Sequence, residues 1–207
     1  MTTRGFAVLA TVALVFIIVA TPAMAEKGDK QIQFGAMYST PTNDLMELGA
    51  TIEADAAAGF QASFEFLVAD KIGVEPALTR ATHDIDVMEP GFPTLQLGDA
   101  DLTTLTVNLN FHLTPESNFD IFAGPTLGYT FWGDLESALL SESFPIEDDF
   151  IFGVNFGIGV PFGESDWSFV GAVNWIVVEA ALENADPGEA PLDVDPLQVK
   201  VGVARRF

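Results

Sequence analysis

Two carboxylates are the side chains of this sequence most able to do chemistry. Glu65 and Glu75 lie on either side of a short turn, and a carboxylate pair can act as general acid and general base in hydrolysis. Such a pair needs a nucleophile or a metal site beside it, and the sequence offers neither. His83 and His112 are the two histidines and there is no cysteine, too few ligands for a zinc site. We therefore predict no catalytic residues, no metal centre, no cofactor and no enzymatic activity.

Acidic residues greatly outnumber basic ones. The chain has 30 Asp and Glu against 8 Lys and Arg, a formal net charge of −22, which excludes a nucleic-acid partner because phosphate binding needs lysine and arginine. Clusters such as residues 84–86 and 147–149 fall in predicted loops. One interpretation is a solvated, self-repelling surface. The other is divalent cations that bridge loop carboxylates to anionic lipid headgroups, although no loop has an ordered calcium-site pattern.

The first 25 residues have the pattern of a secretory signal peptide. Arg4 precedes an apolar stretch over residues 5–20, and Ala-Met-Ala ends at Ala25, the small-residue pattern of a cleavage site. An N-terminal membrane anchor is the alternative, but the apolar run is short for a spanning helix. We predict cleavage after Ala25 and a single domain over residues 26–207. Export leads to an oxidising compartment, where a chain without cysteine forms no disulfide.

A period-two alternation of side chains dominates the rest of the sequence. Apolar residues occupy every odd position over residues 105–113 and every even position over residues 150–160. This period places the two sets on opposite faces of a β-strand, and about eleven residues suffice for a tilted strand to cross a bilayer. After residue 25 no apolar run reaches the roughly 18 residues of a spanning helix, although 49% of the chain is hydrophobic.

The alternation predicts eight strands. They cover residues 31–38, 59–68, 72–79, 102–113, 119–130, 150–160, 167–178 and 197–207. Tight turns alternate with four long loops. The loops cover residues 39–58, 80–101, 131–149 and 179–196. An even strand number with short turns on one side and long loops on the other is typical of bacterial outer-membrane barrels. We predict an all-β fold, an eight-stranded antiparallel up-and-down transmembrane β-barrel in the cell outer membrane, with short periplasmic turns and long extracellular loops.

The two faces of the predicted strands have different partners. One face carries Phe, Leu, Val, Ile and Trp and should contact outer-membrane lipid, because a soluble barrel would turn its apolar face inward. The other face fills a narrow lumen. Near the periplasmic end we expect a plug of ion pairs and hydrogen bonds formed by Glu65, Glu75, His112, Asp120, Lys200 and Arg206.

Toward the outer end the inward-facing positions become more apolar. They are Met37, Trp132, Ile151, Val170, Ile176 and Val178. Two interpretations stay open for this set. In the first, these residues have no functional role: they simply fill a small lumen, or a bulge has shifted the register of the strand. In the second, they line the mouth of a pocket for a hydrophobic ligand.

The order of the motifs resembles the OmpW family of small outer-membrane barrels, over nearly the whole chain after the signal segment. The pieces that carry the resemblance are Ala-Asp-Lys-Ile-Gly-Val-Glu at 69–75, Leu-Thr-Thr-Leu-Thr-Val at 102–107, Phe-Ala-Gly-Pro-Thr-Leu-Gly-Tyr-Thr at 122–130, Asp-Trp at 166–167, and the ending with Asp-Pro at 195–196, Gly202 and Arg-Phe at 206–207. The resemblance implies a narrow barrel with a hydrophobic pocket or lateral outlet that passes small hydrophobic compounds passively. The alternative is a structural or adhesive barrel with a plugged lumen that presents acidic loops.

One position departs from the pattern of such barrels. Arg205 stands third from the end, where they usually have an aromatic residue. The predicted signal for the barrel assembly machinery therefore consists of Val199, Val201, Val203 and Phe207.

Overall fold

The computed structural model describes residues 27–42, 45–47, 50–89, 91–115, 118–137, 142–144, 146, 148–163, 165–180, 192–193 and 195–207. The predicted signal peptide and its cleavage site lie outside these residues. Within the described part of the chain, no helix is long and apolar enough to cross a membrane.

Eight long strands form a closed antiparallel barrel. They are β1 Lys30–Thr40, β4 Ala57–Ala69, β5 Ile72–Met88, β6 Leu95–His112, β7 Asp120–Trp132, β10 Asp149–Pro161, β11 Trp167–Val177 and β14 Leu197–Arg206. Each pairs with the next one around the ring, and β14 pairs with β1 to close it. The predicted eight-stranded antiparallel barrel is confirmed, and closure leaves these strands no unpaired edge in the membrane.

Closure between β1 and β14 depends on two glycines. Gly35 and Gly202 lie directly opposite each other in this pair of strands. A Cβ atom on Gly35 would overlap the carbonyl oxygen of Val201, and one on Gly202 would overlap that of Phe34. Because a side chain at either position would force the two backbones apart, glycine is needed where the last strand meets the first.

The alternation puts apolar side chains outside the barrel and polar ones inside. On β10, Phe152, Val154 and Phe156 are each more than half exposed, whereas Asn155 between them is buried. A water-soluble barrel would have the opposite arrangement. The outward face therefore matches the lipid-facing band of a membrane barrel, as predicted.

The connection predicted as a loop over residues 80–101 is instead a tall hairpin. β5 continues to Met88 and β6 begins at Leu95, and the two pair almost without interruption. The prediction missed these strands because both faces of the segment are largely polar, so the period-two hydrophobic signal disappears. Pairing between backbones does not need that signal, and the hairpin extends past the lipid-facing band.

The outward face of this hairpin carries a polar cluster above the lipid-facing band. Arg80 forms an ion pair with Asp101, and the hydroxyl of Thr82 donates a hydrogen bond of 2.5 Å to the same carboxylate. The Thr82 hydroxyl, followed by Arg80, lowers the pKa of Asp101 below its ordinary value. Charged outward residues beyond position 79 mark the level at which the surface of the barrel meets water.

The described parts of the other predicted loops contain six short strands. They are β2 Leu45–Glu47, β3 Ala50–Ala54, β8 Leu135–Ser137, β9 Glu142–Phe144, β12 Glu179–Ala180 and β13 Leu192–Asp193. β3 pairs with the upper part of β5, and β8 pairs with β6. The predicted loops over 39–58 and 131–149 are therefore partly β-structure that continues the wall of the barrel outward.

Candidate functional site: the barrel lumen

The periplasmic half of the lumen is closed by a network of polar side chains, here called the plug. Glu65 on β4 and Glu75 on β5 point inward and are buried, and the register of these strands places them opposite each other. Asn110 on β6 donates hydrogen bonds to both carboxylates, 2.7 Å to Glu65 Oε1 and 3.0 Å to Glu75 Oε2. This amide therefore links two groups of like charge that would otherwise repel each other across the ladder.

His112 connects two carboxylates at the periplasmic edge of the plug. Its Nε2 lies 3.1 Å from Glu65 Oε1, and its Nδ1 lies 2.5 Å from Asp120 Oδ2. Ionised carboxylates only accept hydrogen bonds, so a ring that carries protons on both nitrogens satisfies both contacts. A charged imidazolium between two carboxylates is a charge-assisted arrangement, the strong class of hydrogen bond.

The remaining plug residues extend the network across the lumen. Asn108 donates a hydrogen bond of 3.1 Å to Glu75 and accepts one of 2.7 Å from the hydroxyl of Thr126. Lys200 on β14 is buried and interacts electrostatically with Glu75. Arg206 lies at the periplasmic rim, where its Nε is 3.9 Å from the carboxylate of Asp29. The structure thus brings five of the six predicted plug residues into the lower lumen and places Arg206 at its rim.

One predicted pocket residue lies at the wrong end of the barrel. Val170 is buried beside Phe122 and Ala204, and Phe122 also packs on the ring of His112. β11 begins at Trp167 on the periplasmic side, so residue 170 is near its start, next to the plug. The expectation that Val170 lines the outer lumen is wrong, because its depth follows from where the strand begins and not from its apolar character.

The outer half of the lumen is lined by two apolar clusters. Ile151 on β10, Ile176 on β11 and Val178 just after β11 are almost completely buried and pack together. Met37 packs with Ala57 and Ala81 on the neighbouring wall. The two clusters together are called the upper lining.

Trp132 faces inward at the end of β7. Its indole nitrogen is buried without a hydrogen-bond partner among the described residues. With this residue, five of the six residues predicted to line an apolar mouth lie in the outer half of the lumen.

Beside the upper lining lies a set of polar residues whose proximity to one another sequence analysis did not identify. Asn155, Asn174, Gln198 and Ser39 are buried and point inward. Each occupies the inward phase of its own strand, so the alternation contained a signal for it. Their proximity depends on register between strands, which the alternation does not specify.

No group of three His, Cys, Asp or Glu side chains in the described residues is arranged to hold a metal ion. Part of the acidic sequence, including Glu147, lies outside those residues. The suggestion of divalent cations at the acidic loops stays a prediction.

Comparison with known proteins assigns the chain to a family. A model of the OmpW family matches residues 26–207. The chain belongs to the OmpW family. Its family and its fold are those of outer-membrane barrels of the transport or structural type. A search of curated proteins finds no match.

Solved structures of outer-membrane barrels share the fold of this OmpW-family chain. The crystal structure of the outer membrane protein OprG from Pseudomonas aeruginosa has a TM-score of 0.76 at 21% identity, covering 89% of this chain and 98% of that chain. The solid-state NMR structure of outer membrane protein AlkL in DMPC lipid bilayers has a TM-score of 0.56 at 20% identity, covering 91% and 94%. Neisserial surface protein A has a TM-score of 0.55 at 11% identity, covering 87% and 99%.

Proposed function

We propose that this OmpW-family barrel is a passive, narrow conduit or binding pore for small hydrophobic compounds in the outer membrane. One observation carries the proposal: the upper lining is apolar and buried, whereas the lumen below it is closed by the plug. An apolar solute gains free energy by entering the upper lining. The same solute would have to break the charge-assisted hydrogen bonds of His112 to reach the periplasm, so the proposed route leaves the lumen sideways into the membrane, above His112.

The proposed lateral outlet is the contact between β6 and β7. Pairing of these strands stops at Asn108–Thr126 and resumes at Phe111–Ala123, and Pro125 lies in the gap. Proline has no N–H to donate to the neighbouring strand, so it removes a ladder hydrogen bond. A seam with a missing hydrogen bond and apolar outward neighbours is the place where two strands separate at the lowest cost.

A second break in the ladder is less suited to an apolar solute. Pairing of β4 with β5 stops at Ser63–Ala77 and resumes at Phe66–Val74, and Pro76 lies in the gap. The inward side of this break holds the two carboxylates of the plug, whereas the inward side of the break at Pro125 holds the uncharged amide of Asn110. Passage there would desolvate charged groups, which favours the seam at Pro125.

Replacing Ile176 by asparagine is expected to reduce uptake roughly tenfold, because a buried amide in the upper lining disfavours an apolar solute by ~1–3 kcal/mol. The measurement is the initial rate at which N-phenyl-1-naphthylamine enters proteoliposomes with an outer leaflet of lipopolysaccharide. Val170→Asn is the matched control, because Val170 is equally buried on the same strand but lies beside the plug. Its uptake should stay within twofold of the unmodified barrel.

Equal uptake by the barrel, by Ile176→Asn and by protein-free liposomes would reject the conduit, provided that each protein gives the heat-modifiable folded band. The barrel would then be better described as a structural or adhesive protein with a plugged lumen and acidic loops. The hairpin of β5 and β6, which rises beyond the lipid-facing band, would be the surface to test for partners.

Replacing Pro125 by valine is expected to close the seam. Valine restores a backbone N–H that can donate a hydrogen bond to a carbonyl oxygen of β6. The variant should therefore gain about 0.5–1.5 kcal/mol of folding stability and lose most of its uptake of the probe. The measurements are the urea midpoint in lipid vesicles and the rate of probe uptake. Pro76→Val is the control, since it repairs the other ladder break and should raise the midpoint without slowing uptake. Slower uptake in the Pro76 variant alone would move the outlet to the seam of β4 and β5.

Export and assembly belong to the same proposal. We infer that residues 1–25 are removed after Ala25 and that residues 26–207 form the single domain of the mature protein. Val199, Val201 and Val203 face outward on β14, and Phe207 follows them. We propose that this segment contacts the barrel assembly machinery while the protein folds. In the finished barrel, the same outward side chains would contact outer-membrane lipid.

A further inference from the structure

Four buried polar residues form a continuous row around one side of the lumen. Asn155 lies directly opposite Asn174, Asn174 opposite Gln198, and Gln198 opposite Ser39. The row, here called the polar row, crosses β10, β11, β14 and β1 in that order. All four residues are at most 4% exposed.

The polar row climbs from the plug to the outer mouth. At its lower end Asn155 donates a hydrogen bond of 3.0 Å to Asn110 Oδ1, and Asn110 belongs to the plug. At its upper end Ser39 is next to Thr40, the last residue of β1. A row of directly paired residues changes height in this way because the strands of a barrel are tilted and staggered.

Among the residues that the structure describes, each member of the row has a buried polar atom without a hydrogen-bond partner. These atoms are Asn155 Oδ1, Asn174 Nδ2, Gln198 Oε1 and Ser39 Oγ. Buried polar groups in folded proteins are nearly always hydrogen-bonded, and a free one is costly. The four atoms include amide acceptors, an amide donor and a hydroxyl that can do either, so they can serve a ligand that both donates and accepts.

The polar row borders the upper lining. Ile176 follows Asn174 by two residues on β11, and Met37 precedes Ser39 by two on β1, so each apolar residue shares its partner's inward face. Both belong to the buried apolar clusters. A bound molecule can therefore place an apolar body on the upper lining and a polar head on the row.

The charge of the surroundings disfavours an anionic head, and the row itself offers no carboxylate to balance a cationic one. The polar row contains no ionisable side chain, whereas the plug below it holds Glu65, Glu75 and Asp120. The chain also has a net charge of −22, which repels anions that approach from outside. The nearest basic group is Lys200, which is next to Gln198 in the inward phase of β14 and interacts electrostatically with Glu75.

We propose that the polar row binds the uncharged, hydrogen-bonding head of a small amphipathic solute, such as a carboxamide or an alcohol. The apolar part of that solute packs against the upper lining. The inference rests on the proposed conduit function, because it names the class of compound that the conduit would bind. It differs from that proposal in requiring specific hydrogen bonds, which a hydrocarbon cannot make.

The test compares benzamide, toluene and benzoate by calorimetric titration of the folded protein in lipid nanodiscs, with empty nanodiscs as the blank. Asn174→Leu and Gln198→Met remove a polar atom from the row at nearly constant volume. Each is expected to weaken benzamide binding roughly fivefold, the value of about one neutral hydrogen bond, and to leave toluene binding within twofold. Thr104→Val, a buried residue of β6 outside the row, should change neither affinity.

Three results would overturn the inference. The first is unchanged benzamide affinity in both variants while toluene still binds, which would mean that buried water alone occupies the row. The second is a higher affinity for benzoate than for benzamide, which would assign the site to anions through Lys200. The third is no binding of benzamide to the unmodified barrel.

Two further observations keep the inference separate from the conduit and from folding defects. Toluene binding that persists, with uptake still sensitive to Ile176→Asn, leaves the conduit intact even if the polar row fails. If a variant does not fold, the side-chain amide resonances of Asn174 and Gln198 in the unmodified protein decide the question. Benzamide should shift these resonances and toluene should not, and the absence of any shift with benzamide contradicts the proposal.

Discussion

Replacing His112 by leucine is expected to destabilise the folded barrel by about 3–5 kcal/mol, the cost of removing one partner from a buried ion pair. His112 contacts Glu65 and Asp120 through its two ring nitrogens. Leucine fills part of the space but leaves both carboxylates buried without the donor between them. Equilibrium unfolding in urea, in lipid vesicles, gives the free energy directly, and the heat-modifiable shift of the folded band reports the same loss on a gel.

A triple variant separates lost pairing from lost volume. Adding Glu65→Gln and Asp120→Asn to His112→Leu removes the charges that the histidine had balanced, so most of the lost stability should return. If His112→Leu lowers the free energy of unfolding by less than about 1 kcal/mol, the value of an exposed ion pair, then water reaches this cluster. The plug would then not close the lumen.

Replacing Val154 by arginine is expected to cost about 2–4 kcal/mol of folding stability, because this is the range for arginine at the midplane of the lipid-facing surface of a barrel. Val154 points outward near the middle of β10 and is 53% exposed. In water an exposed valine-to-arginine change on a strand would have little effect. The effect therefore measures the solvent around the barrel and not the packing of its interior.

Phe150→Arg is the matched control at the outer end of the same strand. Phe150 is also outward and 59% exposed, but it is near the interface, where the expected cost falls to about 0–1 kcal/mol. Both variants are compared by urea unfolding in lipid vesicles. Equal costs at the two positions would contradict the assignment of the outward face of β10 to the hydrocarbon core.

The two halves of the lumen have different physical roles in this account. The plug combines three carboxylates, two basic groups and two amides on strands β4, β5, β6, β7 and β14, so it holds opposite walls together and closes the periplasmic end. The upper lining consists of apolar side chains, which make no hydrogen bonds to a solute. The proposed function requires both properties, because the solute would enter at the apolar end while the other end stays closed.

The sequence by itself determined the architecture of the barrel. Alternating side chains predicted all eight membrane-crossing strands, because a half-buried strand must repeat with a period of two. The same alternation assigned Phe152 and Val154 to lipid and Asn155 to the lumen. It also placed Glu65, Glu75 and His112 on the inward face, since each inward position follows from its neighbours on the strand.

Only the tertiary structure decided what depends on register, depth and pairing between backbones. The hairpin over residues 80–101 escaped prediction because its strands are polar on both faces. Val170 was assigned to the wrong half of the lumen because apolar character does not determine height along the barrel. The polar row of Asn155, Asn174, Gln198 and Ser39 assembles from four strands, and its members meet only through the stagger that closes the barrel. Periodicity along one strand contains no information about which residue lies opposite on the next.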